Sequence, residues 1–151
     1  MRGVSGFLAD ELPKVNSINF KRLCHAAADY SNGKLLSFEE PHISRNFYKA
    51  EIDMENRRTF ILLNSSYPFV AFASSVQYFD IAFADDSLSS VIDALSSGFK
   101  VLTVSTLSER LVIDKKTHAL LSENNLNKAE LDQILYWKPK TVGDVIFNFW
   151  D

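Results

Sequence analysis

The chain has a single cysteine, Cys24. No intramolecular disulfide can form, and such usage fits a reducing compartment. Histidine is almost as scarce. His25, His42 and His118 are the whole set, and none stands in an HxH or HExxH spacing with a second ligand. No metal and no cofactor is expected. The five glycines are scattered. Neither G-x-G-x-x-G nor a P-loop exists, so a phosphate-cradling loop is not expected either. No G-x-S-x-G elbow surrounds any serine; Ser65-Ser66, Ser74-Ser75, Ser89-Ser90 and Ser96-Ser97 read as turns and caps. No run approaches the roughly 18 apolar residues of a membrane span, so none is expected. Met1–Asp10 holds no long apolar segment, and no secretory signal is expected there. Positive charge is in slight deficit, with a net charge of −3 and a pI near 5.6. A nucleic-acid binder usually carries a basic footprint; this balance suits a basic protein partner instead.

What is abundant is apolar and aromatic. Hydrophobic residues make up 46% of the 151, and twelve are phenylalanine. A chain of this length buries roughly 68–70% of its unfolded surface as one domain. No linker, repeat or low-complexity stretch divides residues 1–151. Asn19 can cap a helix over Phe20–Tyr30, with Phe20, Leu23, Ala27 and Tyr30 on one stripe. Ser31-Asn32-Gly33 stops it, Gly33 being suited to a left-handed turn. Lys34–Phe38 reads as a short strand. Phe47–Met54 alternates as a half-buried strand. The polar turn Glu55–Arg58 then returns the chain through Thr59–Leu63 as a hairpin. Phe69–Ala73 and Tyr78–Phe83 are further strands, antiparallel because their connections are short. Asp85-Asp86-Ser87 opens a helix with Ser87 as its cap. Leu88, Val91, Ile92 and Leu95 form its apolar stripe, and Ser96-Ser97-Gly98 ends it. Phe99–Val104 is a strand reached by that crossover. Ser105–Lys116 reads either as one helical turn or as half of a hairpin about Asp114-Lys115-Lys116, with the hairpin favoured. Asn127 caps a helix over Lys128–Trp137, with Glu130 completing a capping box and Leu131, Ile134 and Leu135 on its buried side. The expected architecture is α+β: an antiparallel sheet of about five strands, helices covering one face, and two helices at the C-terminal end.

Few residues are candidates for chemistry. Cys24 and His25 are adjacent on a helix and diverge by about 100°, so a Cys–His dyad would have to be assembled by the fold. Asp80, Asp85, Asp86 and Asp93 form an acidic set. Asp80 interrupts an apolar strand and must point outward or find a partner, because burying an unpaired charge is costly. Facing outward, it would share a surface with Asp85 and Asp86, and Tyr78, two residues away, would supply an aromatic anchor. The alternative reading of these aspartates is helix capping and a solvated face. Tyr67 and Trp137 are further candidate anchors. Arg57-Arg58 reads as a solvated turn, lacking the basic stripe with interleaved aromatics that phosphate backbones require.

The most distinctive stretch is the last, Tyr136-Trp137-Lys138-Pro139-Lys140-Thr141-Val142-Gly143-Asp144-Val145-Ile146-Phe147-Asn148-Phe149-Trp150-Asp151. Pro139 stops one helix. Thr141 and Asp144 form the next capping box, and Val142, Val145, Ile146 and Phe149 follow helical spacing. A terminus this aromatic is expected to be docked rather than frayed. It resembles the ending of immunity proteins of bacterial polymorphic toxin systems, including contact-dependent growth inhibition. The resemblance covers about the last tenth of the chain, with a looser similarity in Thr59–Leu63, Pro68 and Phe69–Phe72. It implies a cytoplasmic, non-catalytic protein that binds and neutralises a cognate toxin domain, of nuclease or nucleotide-degrading type, and it carries no toxin-contacting residue onto this chain. The expected partner surface is therefore the one read from the residues: Tyr78, Asp80, Asp85 and Asp86. A small enzyme with a fold-assembled site and a non-catalytic regulatory subunit remain the alternatives.

Overall fold

The computed structural model describes residues 3–7, 15–96 and 98–150. Helix α1 (Ser17–Tyr30) starts one turn earlier than its apolar stripe suggests. Asn16, not Asn19, is its N-cap, and the Asn16 side chain accepts from the Asn19 N–H at 3.0 Å. At its other end the Gly33 N–H reaches the Ala28 carbonyl at 2.8 Å and the Asn32 N–H reaches Asp29 at 3.1 Å. That is a Schellman closure. The left-handed residue is Asn32, with φ 55°, rather than Gly33. Gly33 is needed for a different reason: a Cβ there would lie 2.5 Å from the Asp53 carbonyl oxygen.

Five antiparallel strands follow in sequence order across the sheet: β1 (Lys34–Glu39), β2 (Phe47–Met54), β3 (Arg57–Asn64), β4 (Phe69–Gln77) and β5 (Asp80–Phe83). The β2–β3 register runs from Phe47 opposite Asn64 to Met54 opposite Arg57. Ser74 and Ser75 do not form a turn. They lie inside β4, which continues past Ala73 through a bulge to pair with β5. Helix α2 (Leu88–Leu95) is the crossover to β6 (Lys100–Val101), which lies parallel to the start of β4. Ser96 caps α2, and Ser97 lies outside the described residues. The Phe99–Val104 strand thus shrinks to two residues, and Val104–Leu107 becomes a single turn of helix, α3. Both readings of the next stretch are partly realised, since Ile113 also pairs with Leu120 across the Asp114 turn. Helices α4 (Lys128–Trp137) and α5 (Val142–Ile146) carry the capping boxes expected at Asn127/Glu130 and Thr141/Asp144.

The sheet is covered on both faces rather than one. Period-two alternation sends Ala50, Ile52, Ile61, Leu63, Val70 and Phe72 against α1 and α2. The intervening Phe47, Leu62, Ala71 and Ala73 meet Leu107, Ile134 and the C-terminal segment. That segment is less helical than its spacing predicts. α5 stops at Ile146, and Phe147, Phe149 and Trp150 run on outside the helix, each under 10% exposed. Leu135, expected on the buried side of α4, is exposed, while Ile134 is fully buried.

A buried polar network ties residues 3–7 into this second face. The Glu130 carboxylate, with no exposed surface, accepts from the Gly3, Ser5 and Asn127 N–H groups and the Ser5 hydroxyl. Asn46 and Asn64 both donate to the Val4 and Ile146 carbonyls. Asn148 donates to the carbonyls of Ser5 and Val145. Among the described residues no buried side-chain polar atom lacks a partner.

Candidate functional site

The β4–β5 hairpin turns through two residues, Tyr78 and Phe79, between the paired Gln77 and Asp80. Two-residue hairpin loops ordinarily use Asn-Gly or a Gly-containing pair, because positive φ is easy for those residues. Here Phe79 holds φ 56°. A bulky residue in that region costs about 1–3 kcal/mol. The Phe79 side chain therefore occupies a position where backbone preference favours something else.

These rings meet the end of α4. Phe79 stacks on Trp137 with centroids 5.1 Å apart, and Tyr136 meets Trp137 edge-on at 5.0 Å. Tyr78 lies 4.5 Å from Phe79, and both touch the Phe149 ring beneath. The Trp137 indole is held by its Nε1–H, which donates to Gln133 one turn back at 2.9 Å. Tyr136 is 74% exposed, Tyr78 67% and Phe79 47%. Beside the cluster lies a cleft of about 270 Å³, lined by Phe79, Trp137, Lys138, Lys140 and Asp144 among others. Rings fixed by stacking and open to solvent suit a binding surface, since they offer large contact area with little side-chain entropy left to lose.

The aspartates are dispersed. Asp80 begins β5 at the tip and is exposed. Asp85 lies two residues past the far end of that strand. It accepts from the Val104 N–H at 3.0 Å, at the first turn of α3. Asp86 is held in an ion pair with Arg57, its side chain only 6% exposed, and accepts from the Leu88 N–H at the start of α2. It supplies the cap bond expected of Ser87, whose own side chain makes none to the helix. Burial alone would push the Asp86 carboxyl up, but the Arg57 guanidinium, the Leu88 N–H and the Thr59 hydroxyl outweigh it and hold it below the usual range. Arg57 is therefore a structural partner rather than a free turn residue. The four predicted contact residues separate into a tip pair, Tyr78 and Asp80, and two residues with capping duties.

Tyr78 is at the hairpin tip instead of in the strand with Asp80, because the strand begins only at Asp80. Tyr67 is half-buried, stacked on Phe69 at 5.5 Å. Cys24 is buried in the core against the sheet, and that burial pushes its thiol up, away from thiolate reactivity. His25, next to it, is exposed. Sequence reading missed Phe79 and Tyr136 as surface residues. The available signal was an aromatic pair at the turn position between two strands, lacking glycine or asparagine. Among the described residues no helix is long and apolar enough to cross a membrane. Comparison with family models, with curated proteins and with solved structures finds no match.

Proposed function

We propose that this protein is a non-catalytic inhibitory module, an immunity protein that binds and neutralises a cognate bacterial toxin domain of nuclease or nucleotide-degrading type. The observation that carries the binding reading is the aromatic tip. Tyr78, Phe79 and Tyr136 stand open to solvent, and one of them sits in a backbone conformation that costs stability. The resemblance of the Tyr136–Asp151 ending supplies the class of partner. In this reading Tyr78 and Tyr136 are the anchors, and Asp80 beside them steers a basic toxin surface into register.

The test is binding to, and protection against, the toxin domain encoded beside this gene. Tyr78→Ala and Tyr136→Ala should each lose about 2 kcal/mol or more of affinity through faster dissociation, with the fold intact. Asp80→Lys should slow association and flatten its salt dependence. A triple reversal including Asp86 is unsuitable, because lysine there would face Arg57 and uncap α2. Unchanged kinetics in folded variants would overturn the tip as epitope. Failure of the wild type to bind or protect would overturn the immunity reading.

A further inference from the structure

A second cleft, of about 230 Å³, lies on the other side of the Lys138-Pro139-Lys140 break and gathers Arg110, His118, Lys138 and Lys140. They come from three separate stretches of chain. The first and third are laced together by the Leu111 N–H to the Lys140 carbonyl at 3.0 Å and the Val142 N–H to Glu109 at 2.9 Å. His118 is brought in by the turn at Asp114, where its N–H bonds the Asp114 carbonyl at 2.8 Å. No carboxylate among the described residues lines the cleft. Among the described residues none of the four basic side chains forms an ion pair. Two carboxylates stand near the cleft without lining it. Asp114 interacts with His118 but is bonded to the Lys116 and Thr117 N–H groups. Asp144 accepts from the Lys140 N–H at 3.1 Å and from the Thr141 N–H in the capping box of α5. In a protein of net charge −3, unpaired cations converging on one concavity are not what surface dispersion produces. Like charges held together repel unless an anion joins them.

We propose that this cleft binds a phosphorylated small molecule. Three permanent cations exceed what one carboxylate neutralises, whereas a phosphate monoester carries about −1.5 to −2 at pH 7 and a diphosphate more. The other wall is apolar, formed by Leu111, Ile113, Ile134 and Pro139, and suits the organic body of such a ligand. A polyanion would need a basic stripe beyond a single bounded cleft, so a small molecule is the better occupant. No phosphate-binding sequence motif marks the site, because its cations meet only in the tertiary structure.

The experiment is a titration of the full chain with pyrophosphate, ADP and citrate at fixed ionic strength, followed by amide chemical shifts and calorimetry. Saturable shifts confined to Arg110–Ile113, His118, Lys138 and Lys140, with Kd on the order of 1 mM or tighter, are expected for pyrophosphate. ADP should bind more tightly through the apolar wall. Lys140→Gln and Arg110→Gln, both at exposed side chains, should each weaken binding about tenfold while keeping the wild-type melting temperature. Citrate binding as tightly as pyrophosphate would overturn the phosphate assignment. The absence of saturation, or folded variants with unchanged affinity, would overturn the site. Lys138 and Lys140 also line the cleft beside the aromatic tip, so Arg110→Gln, which lies outside that cleft, is the variant that separates this site from toxin binding.

Discussion

Glu130 shows how one side chain can serve two levels of structure. One carboxylate oxygen accepts the Asn127 N–H and closes the capping box of α4, while both oxygens reach across to Gly3 and Ser5. An ionised carboxylate only accepts hydrogen bonds, and here it is met by four donors. In Glu130→Ala those donors lose their acceptor inside the core, at a cost of about 3 kcal/mol or more. For a chain of this size that lowers Tm by roughly 6–12 °C. Glu130→Gln should fall between, since its amide presents a donor where an acceptor is needed; a variant melting with the wild type would contradict the assignment. Asp86 gives a pH-dependent counterpart. Its folded pKa lies below its unfolded one, near 3.9, so its contribution is present above that value and lost as pH falls through the folded pKa. Asp86→Asn should cost roughly 1–3 kcal/mol at pH 7. The gap in urea midpoint between variant and wild type should then close below about pH 4. A gap that stays constant down to pH 3 would show that the Arg57 pair does not govern the acid limb.

At the level of elements, α5 is too short to be stable by itself and depends on what it touches. Its glycine, at Gly143, costs helix propensity, yet a Cβ there would stand 2.8 Å from a Phe83 ring carbon and 3.0 Å from the Leu107 carbonyl oxygen. The close approach of α5 to α3 and β5 therefore requires glycine. Gly143→Ala gains roughly 0.5–1 kcal/mol of intrinsic propensity but overpacks the contact by about 1–3 kcal/mol. A net loss of stability in denaturant unfolding is expected; a stabilised variant would mean the neighbours yield freely. The β4–β5 hairpin shows the opposite balance. Among the described residues nothing packs over Tyr78 and Phe79 closely enough to hide them, so the element keeps a strained tip whose rings are partly open to solvent.

For the whole molecule, the second face of the sheet is built from segments far apart in the chain. Residues 3–7 and 142–150 are clamped together by Asn46, Asn64, Asn148 and Glu130. Removing everything after Pro139 strips Val145, Ile146, Phe147, Phe149 and Trp150 from that core and takes the Ile146 carbonyl from the Asn46 and Asn64 amides. The truncated chain should be unfolded or aggregated, with no cooperative melting transition. A truncated protein melting at the wild-type temperature would contradict this. Phe149→Ala, which takes away the ring beneath Tyr78 and Phe79, should cost about 3–5 kcal/mol. Its loss should also loosen the tip.

Local physics made much of the molecule legible in advance. Alternation placed β2 at Phe47–Met54, and the capping boxes at Asn127/Glu130 and Thr141/Asp144 marked the starts of α4 and α5. Each of those signals is satisfied within a few residues, so no distant partner had to be known. What lay beyond the sequence were facts of meeting. Asp86 and Arg57 are 29 residues apart, and Glu130 and Ser5 are 125 apart. Whether a carboxylate caps, pairs or stands free depends on which donors the fold brings to it, and spacing along the chain carries no such information. The same holds for the exposure of Tyr78, Phe79 and Tyr136, and for the convergence of Arg110, His118, Lys138 and Lys140 on one cleft. Hydrophobic pattern and caps determined the elements; only their packing decided which polar and aromatic groups were consumed by the core and which were left facing solvent.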